Sequence, residues 1–94
     1  MTGTRKLDCS IVIPAFNEAA MISRTLQSLT SQTIERDRYE IIVVDNGSTD
    51  DTVSLAKEYA DVVLVKANGN VGAVRNYGIE NASSGIIVCT DADC

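Results

Sequence analysis

Apolar residues fall in four short runs along this chain, and stretches with helical spacing separate them. Ser10-Ile11-Val12-Ile13 forms the first run and ends at Pro14, which has no N–H to give a ladder. Asn17 is placed as the N-cap of a helix in which Ile22, Leu26 and Leu29 recur one turn apart, through about Ser31. Residues 39–44 form a second, β-branched run closed by the turn signal Asp45-Asn46-Gly47. Ser48-Thr49-Asp50-Asp51 has the form of a capping box, with Ser48 and Asp51 as its caps, and predicts a helix carrying Val53, Ala56 and Ala60. Residues 62–66 read as a third strand, residues 71–81 as a third helix after the loop Asn68-Gly69-Asn70, and residues 86–90 as a fourth strand after Ser83-Ser84-Gly85.

Strand and helix alternating over short connections predict a parallel sheet, because parallel neighbours need a crossover and a helix supplies it. The strands are continuously apolar, which means that helices cover both faces. The expected fold is α/β, a Rossmann-like open sheet in the order 3-2-1-4, within one domain over the 94 residues. With only four aromatic residues (Phe16, Tyr39, Tyr59, Tyr77), the core must be built from Ile, Val, Leu and Ala. Gly69, Gly72 and Gly78 read as positions for a turn and for close packing, and the tyrosines as packed rings with hydroxyls at the edge.

Charge and cysteines narrow the function. A formal net charge of −5 argues against a nucleic-acid groove, which needs clustered Lys and Arg. Residues 1–9 hold no apolar stretch of signal-peptide length, and no segment reaches the roughly 20 apolar residues of a membrane span. Cys9, Cys89 and Cys94 cannot all pair and lack metal-ligand spacing, so reduced thiols in a cytoplasmic protein are expected, with Cys9 and Cys89 as small core residues.

Open α/β sheets bind ligands beyond the carboxyl ends of the strands, where the strand order reverses. In the order 3-2-1-4 that point lies between strands 1 and 4. The rim there carries Pro14 to Glu18, Asp45 to Ser48, and Asp91-Ala92-Asp93. Asp91 and Asp93 stand two positions apart at a strand end, so their carboxylates share a side if the backbone stays extended. Such a pair repels unless a cation intervenes. Hard ions such as Mg²⁺ or Mn²⁺ suit it and leave coordination positions for a diphosphate. No P-loop is present, and the turn after strand 1 has no glycine, so a dinucleotide cradle is missing although Asp45 stands where such folds keep their ribose-binding acid.

At these residues the chain resembles glycosyltransferase family 2, with its GT-A fold. The segment from Ser10 through Ile13, Pro14, Ala15, Phe16, Asn17 and Glu18 is similar to the family's opening strand and P-x-[YF]-N-E signature. EIIVVDNGSTDDT at residues 40–52 resembles its second block. Asn70-Val71-Gly72-Ala73-Val74-Arg75-Asn76-Tyr77-Gly78-Ile79 resembles its G-x-x-x-A-R-N-x-G-I stretch, and Asp91-Ala92-Asp93 its D-x-D. The four blocks stand in the family's order and cover the N-terminal half of such a domain.

The resemblance implies a donor site for a UDP- or GDP-sugar. Pro14, Ala15, Phe16 and Glu18 would lie against the nucleotide, and Asp45 and Asn46 would approach base and ribose. Many members carry a second acid where this chain has Asn46, so either residue could contact the base. Arg75 would sit by the nucleotide, Asp91 by ribose or sugar and the metal, and Asp93 on the metal. An inverting transfer to an acceptor hydroxyl is implied, with the general base and the acceptor pocket supplied by sequence after the D-x-D. The 94 residues alone are then expected to be inactive, with strand 4 an unprotected edge. A non-catalytic nucleotide-binding remnant and a dinucleotide-binding oxidoreductase domain are the alternatives.

Overall fold

A computed structural model describes residues 7–31, 36–67 and 70–89. Four parallel strands form one sheet: β1 (Cys9–Ala15), β2 (Tyr39–Asp45), β3 (Val62–Val65) and β4 (Ile87–Cys89), in the order β3-β2-β1-β4. The predicted topology is the observed one. Helices α1 (Ala19–Thr30), α2 (Thr52–Ala56) and α3 (Val71–Glu80) supply the crossovers, and a 3-10 turn at Arg36–Arg38 leads into β2.

Alternation along the strands divides the core into two layers. On one face Ile11, Ile13, Ala15, Tyr39, Ile41 and Val43 pack under Ile22 and Leu26 of α1 and Ala56 of α2. On the other, Val12, Ile42 and Val44 pack under Val74 of α3. β2 is buried along its whole length, as a central strand covered on both faces must be. Among the described residues no helix is long and apolar enough to cross a membrane.

Gly78 lets α3 lie against the sheet. A Cβ there would stand 2.5 Å from Val12 Cγ1 and 2.9 Å from Val44 Cγ2. Among the described residues a Cβ on Gly72 would meet Asn70 Oδ1 alone, at 3.4 Å, and Gly69 lies outside the described residues. Tyr39 is buried and its hydroxyl donates to the Leu29 carbonyl at 2.6 Å, while Tyr59 accepts from Gln27 Nε2 at 2.7 Å.

Several local expectations are corrected. α2 ends at Ala56 because the next amides turn to tighter bonds, Glu58 N–H to the Leu55 carbonyl and Tyr59 N–H to that of Ala56. Ala60 still packs on the first core layer. The described part of β4 runs Ile87–Cys89, starting one residue later than expected, and its position at the edge leaves Ile86 and Val88 exposed. Cys9 packs against the core as expected, whereas Cys89 is exposed at that same edge. Cys94 lies outside the described residues.

Candidate donor site at the carboxyl ends of the strands

The carboxyl ends of β1 and β2 lie side by side, with Pro14 opposite Val44 and Ala15 opposite Asp45. Asn46 N–H donates to the Ala15 carbonyl at 2.8 Å, which carries the pairing one residue beyond the strands. Pro14, Ala15, Phe16, Asp45 and Asn46 therefore form one contiguous rim. Phe16 is 53% exposed, an aromatic face open at the end of β1.

The two loops leaving this rim are laced together. Asn17 has a left-handed backbone (φ 52°), which turns it out of the helix that follows. Its N–H donates to Ser48 Oγ at 2.7 Å, and its Oδ1 accepts from Thr49 N–H at 2.9 Å. Glu18, not Asn17, is the N-cap residue of α1, and its side chain makes no capping bond. The N–H of Glu18 donates to Thr52 Oγ1 at 2.9 Å and that of Ala19 to Asp50 Oδ2 at 3.2 Å. Residues of the β2–α2 loop thus satisfy the amides that a local cap would take.

The expected capping box is not formed. Asp51 stands at the N-cap of α2 without a side-chain bond, and Ser48 turns back to the strand end. Asp50 takes the local role instead: its Oδ1 accepts the Thr52 N–H at 3.0 Å and the Thr52 hydroxyl. The Thr52 hydroxyl is the largest influence holding the Asp50 carboxyl below its ordinary 3.8. Desolvation opposes it, and the Thr52 and Ala19 amides add to it. A depressed carboxylate stabilises the fold above its unfolded value and loses that effect as pH falls through the lower folded value. Thermal midpoints of the chain and of Asp50→Asn should therefore differ by a constant amount above about pH 4 and converge below it. A difference unchanged down to pH 2 would show that the charge contributes nothing.

Asp45 is 1% exposed and turned inward. Its Oδ2 accepts from the N–H of Gly47 at 3.0 Å and of Ser48 at 2.7 Å, and its Oδ1 accepts from Ser48 Oγ at 2.5 Å. Its visible work is to close the turn, which Gly47 completes at φ +88°. Sequence reading missed this lacing; Ser48, Thr49, Asp50 and Thr52 carried only a local cap signal.

Arg75 lies four residues into α3, whose N-terminus at Asn70 and Val71 follows the carboxyl end of β3. Asn70, expected in a loop, is the N-cap of α3: its Oδ1 accepts from Ala73 N–H at 2.8 Å. Helical side chains lean toward the N-terminus, so Arg75 leans toward the start of α3. Its Nε is buried and has no hydrogen-bond partner among the described residues. A buried guanidinium nitrogen without a partner fits a ligand acceptor such as a phosphate oxygen. Lys66, beyond β3, has its Nζ 5.5 Å from the centre of the Tyr77 ring. Asp91 and Asp93 lie outside the described residues. Among the described residues no three His, Cys, Asp or Glu side chains converge into a metal site.

Residues 10–94 match the family described as Glycosyl transferase family 2. The chain is 37% identical over 91 residues to Glycosyltransferase AglE of Haloferax volcanii, a match spanning 90% of this chain and 30% of that protein. It superposes on S. aureus TarS 1-349 in complex with UDP-GlcNAc with a TM-score of 0.85 and 27% identity, over 93% of this chain and 27% of that one. For the mannosyltransferase PcManGT of Pyrobaculum calidifontis, in complex with GDP-Man and Mn²⁺, the TM-score is 0.83 at 28% identity, over 90% and 27% of the two chains. The chain thus spans less than a third of the length of each of these three relatives.

Proposed function

On the premise that this chain belongs to glycosyltransferase family 2, we propose that residues 1–94 are the donor-binding half of a domain that passes a sugar from a UDP- or GDP-sugar to an acceptor hydroxyl. The observation that carries this reading is the buried Nε of Arg75, which has no hydrogen-bond partner among the described residues, in a helix that starts beyond the carboxyl end of β3. An exposed ring takes the flat face of a base, a guanidinium takes a phosphate, and laced loops hold both without reorganising. The known neighbours in complex with UDP-GlcNAc and GDP-Man support the ligand class.

Pro14, Ala15, Phe16 and Glu18 border the nucleotide, Asn46 stands nearest the base, and Asp45 holds the turn that presents it. Asp91 and Asp93 are the donors for a divalent ion, Mg²⁺ or Mn²⁺, since carboxylate oxygens suit hard cations. When bound, that ion neutralises charge on the departing diphosphate. The Mn²⁺ complex of the mannosyltransferase supports a divalent metal. The attacking hydroxyl needs a base, which we assign to the part of the relatives that this chain does not span. These 94 residues alone therefore transfer no sugar. Three cysteines that cannot all pair and lack metal-ligand spacing support a cytoplasmic location.

Calorimetric titration of nucleoside diphosphates with and without Mn²⁺ tests the reading. UDP or GDP should bind about tenfold or more tightly with the ion, and Asp93→Ala should remove that gain without moving the thermal midpoint. Equal affinity with and without Mn²⁺ would remove the metal from the reading. Tighter binding of NAD than of any nucleoside diphosphate would overturn it in favour of an oxidoreductase.

A further inference from the structure

At the opposite end of the sheet, Glu40 of β2 is 5% exposed and Ser10 of β1 is fully buried, and the two are register partners. Both lie on the α3 face, two residues before Val12 and Ile42. The Ser10 hydroxyl donates to Glu40 Oε2 at 2.5 Å, and Ser83 N–H donates to the same oxygen at 2.6 Å. Ser84 N–H donates to Ser10 Oγ at 3.1 Å, and Ser10 N–H donates to the Ile86 carbonyl at 2.8 Å. The connection from α3 to β4 is thus sewn to β1 and β2 around one buried carboxylate.

A buried carboxylate is costly unless donors converge on it. Here a hydroxyl and a loop amide converge on one of its oxygens. Among the described residues, β4 pairs with one strand only, and Ile87 packs against the layer of Val12 and Ile42. Its pairing covers Ser10 to Ile87, Ile11 to Val88 and Val12 to Cys89 on one side, and Val88 is 47% exposed. The anchor lies before β4, and the candidate rim lies after it, roughly 17 Å away along five residues of β1.

We propose that Glu40 is a positioning residue: from the amino edge of the sheet it sets the register and direction of β4, the strand that Asp91 and Asp93 follow in the sequence. The link to those two acids rests on the donor reading above; the control of β4 does not.

Glu40→Ala, Glu40→Gln and Ser10→Ala test it in the chain by amide exchange and by UDP and GDP titration with and without Mn²⁺. Exchange at residues 83–89 should rise about tenfold or more in Glu40→Ala while residues 41–45 stay protected. The Mn²⁺-dependent gain in affinity should fall about tenfold, and metal-free affinity should stay within about twofold. Glu40→Gln, which keeps an acceptor oxygen, should recover part of both. Unchanged exchange at 83–89, or an equal rise in every strand, overturns the proposal, as does a full Mn²⁺ gain with β4 loosened. If the unmodified chain shows no Mn²⁺ gain, the donor reading has failed, and the exchange pattern alone decides for or against Glu40. Should Glu40→Ala not fold, Ser10→Ala must show the same local pattern, about threefold in size, or the proposal falls.

Discussion

Gly78→Ala should lower the unfolding free energy of this chain, although alanine is the better helix former. The added methyl would sit 2.5 Å from Val12 Cγ1 and 2.9 Å from Val44 Cγ2. Both valines are fully buried in the layer under α3, and their branched side chains have few rotamers to retreat into. Overpacking of this kind costs about 1–3 kcal/mol, and the helix-propensity gain of about 1 kcal/mol offsets part of it. A net loss of up to about 2 kcal/mol is expected, and more for Gly78→Val. Gly72→Ala is the control within the same helix. Among the described residues a Cβ there meets only Asn70 Oδ1 at 3.4 Å, so the substitution should be stabilising by about 0.5–1 kcal/mol. Urea unfolding of the two variants separates the effects. If both were stabilising, α3 would not be seated on the sheet through Gly78.

Asp45→Ala should be as damaging, at a position whose sequence context suggests both a turn and a ligand contact. It would strip the acceptor from Gly47 N–H, Ser48 N–H and the Ser48 hydroxyl at a site 1% exposed. Three partly buried donors left without their acceptor are expected to cost about 2–3 kcal/mol. The damage should spread, because Ser48 Oγ also receives the Asn17 N–H. Amide exchange at Asn17, Gly47 and Ser48 should accelerate together. Asp45→Asn keeps one acceptor oxygen and should lose about half as much. If Asp45→Asn folds normally and still loses nucleotide affinity, the carboxylate contacts ligand as well as closing the turn. Stability within about 0.5 kcal/mol of the parent in Asp45→Ala would show that the turn does not depend on it.

The fold was legible in the sequence because its signals are local. Runs such as Ile11-Val12-Ile13 and Ile41-Ile42-Val43-Val44 are apolar on both sides of the pleat, and only a strand covered by helices on both faces buries both sides. Short connections then force parallel pairing. The blocks around Pro14, Asp45, Arg75 and Asp91 were legible for a different reason, as motifs in a fixed order.

What tertiary structure decided is where each polar side chain finds its partner. Asn17 and Ser48 are each good local caps by residue type, yet both bond to the other's loop, 31 residues away. Asp50 holds the amide of Ala19 at the start of α1 across a similar separation. Glu40 reads as one polar residue beginning a strand, and the fold buries it against an amide 43 positions later. Hydrophobic periodicity repeats every few residues and can be counted along the chain. A hydrogen bond between distant residues depends on which loops the sheet order brings together, so its partners exist only once the strands are assembled.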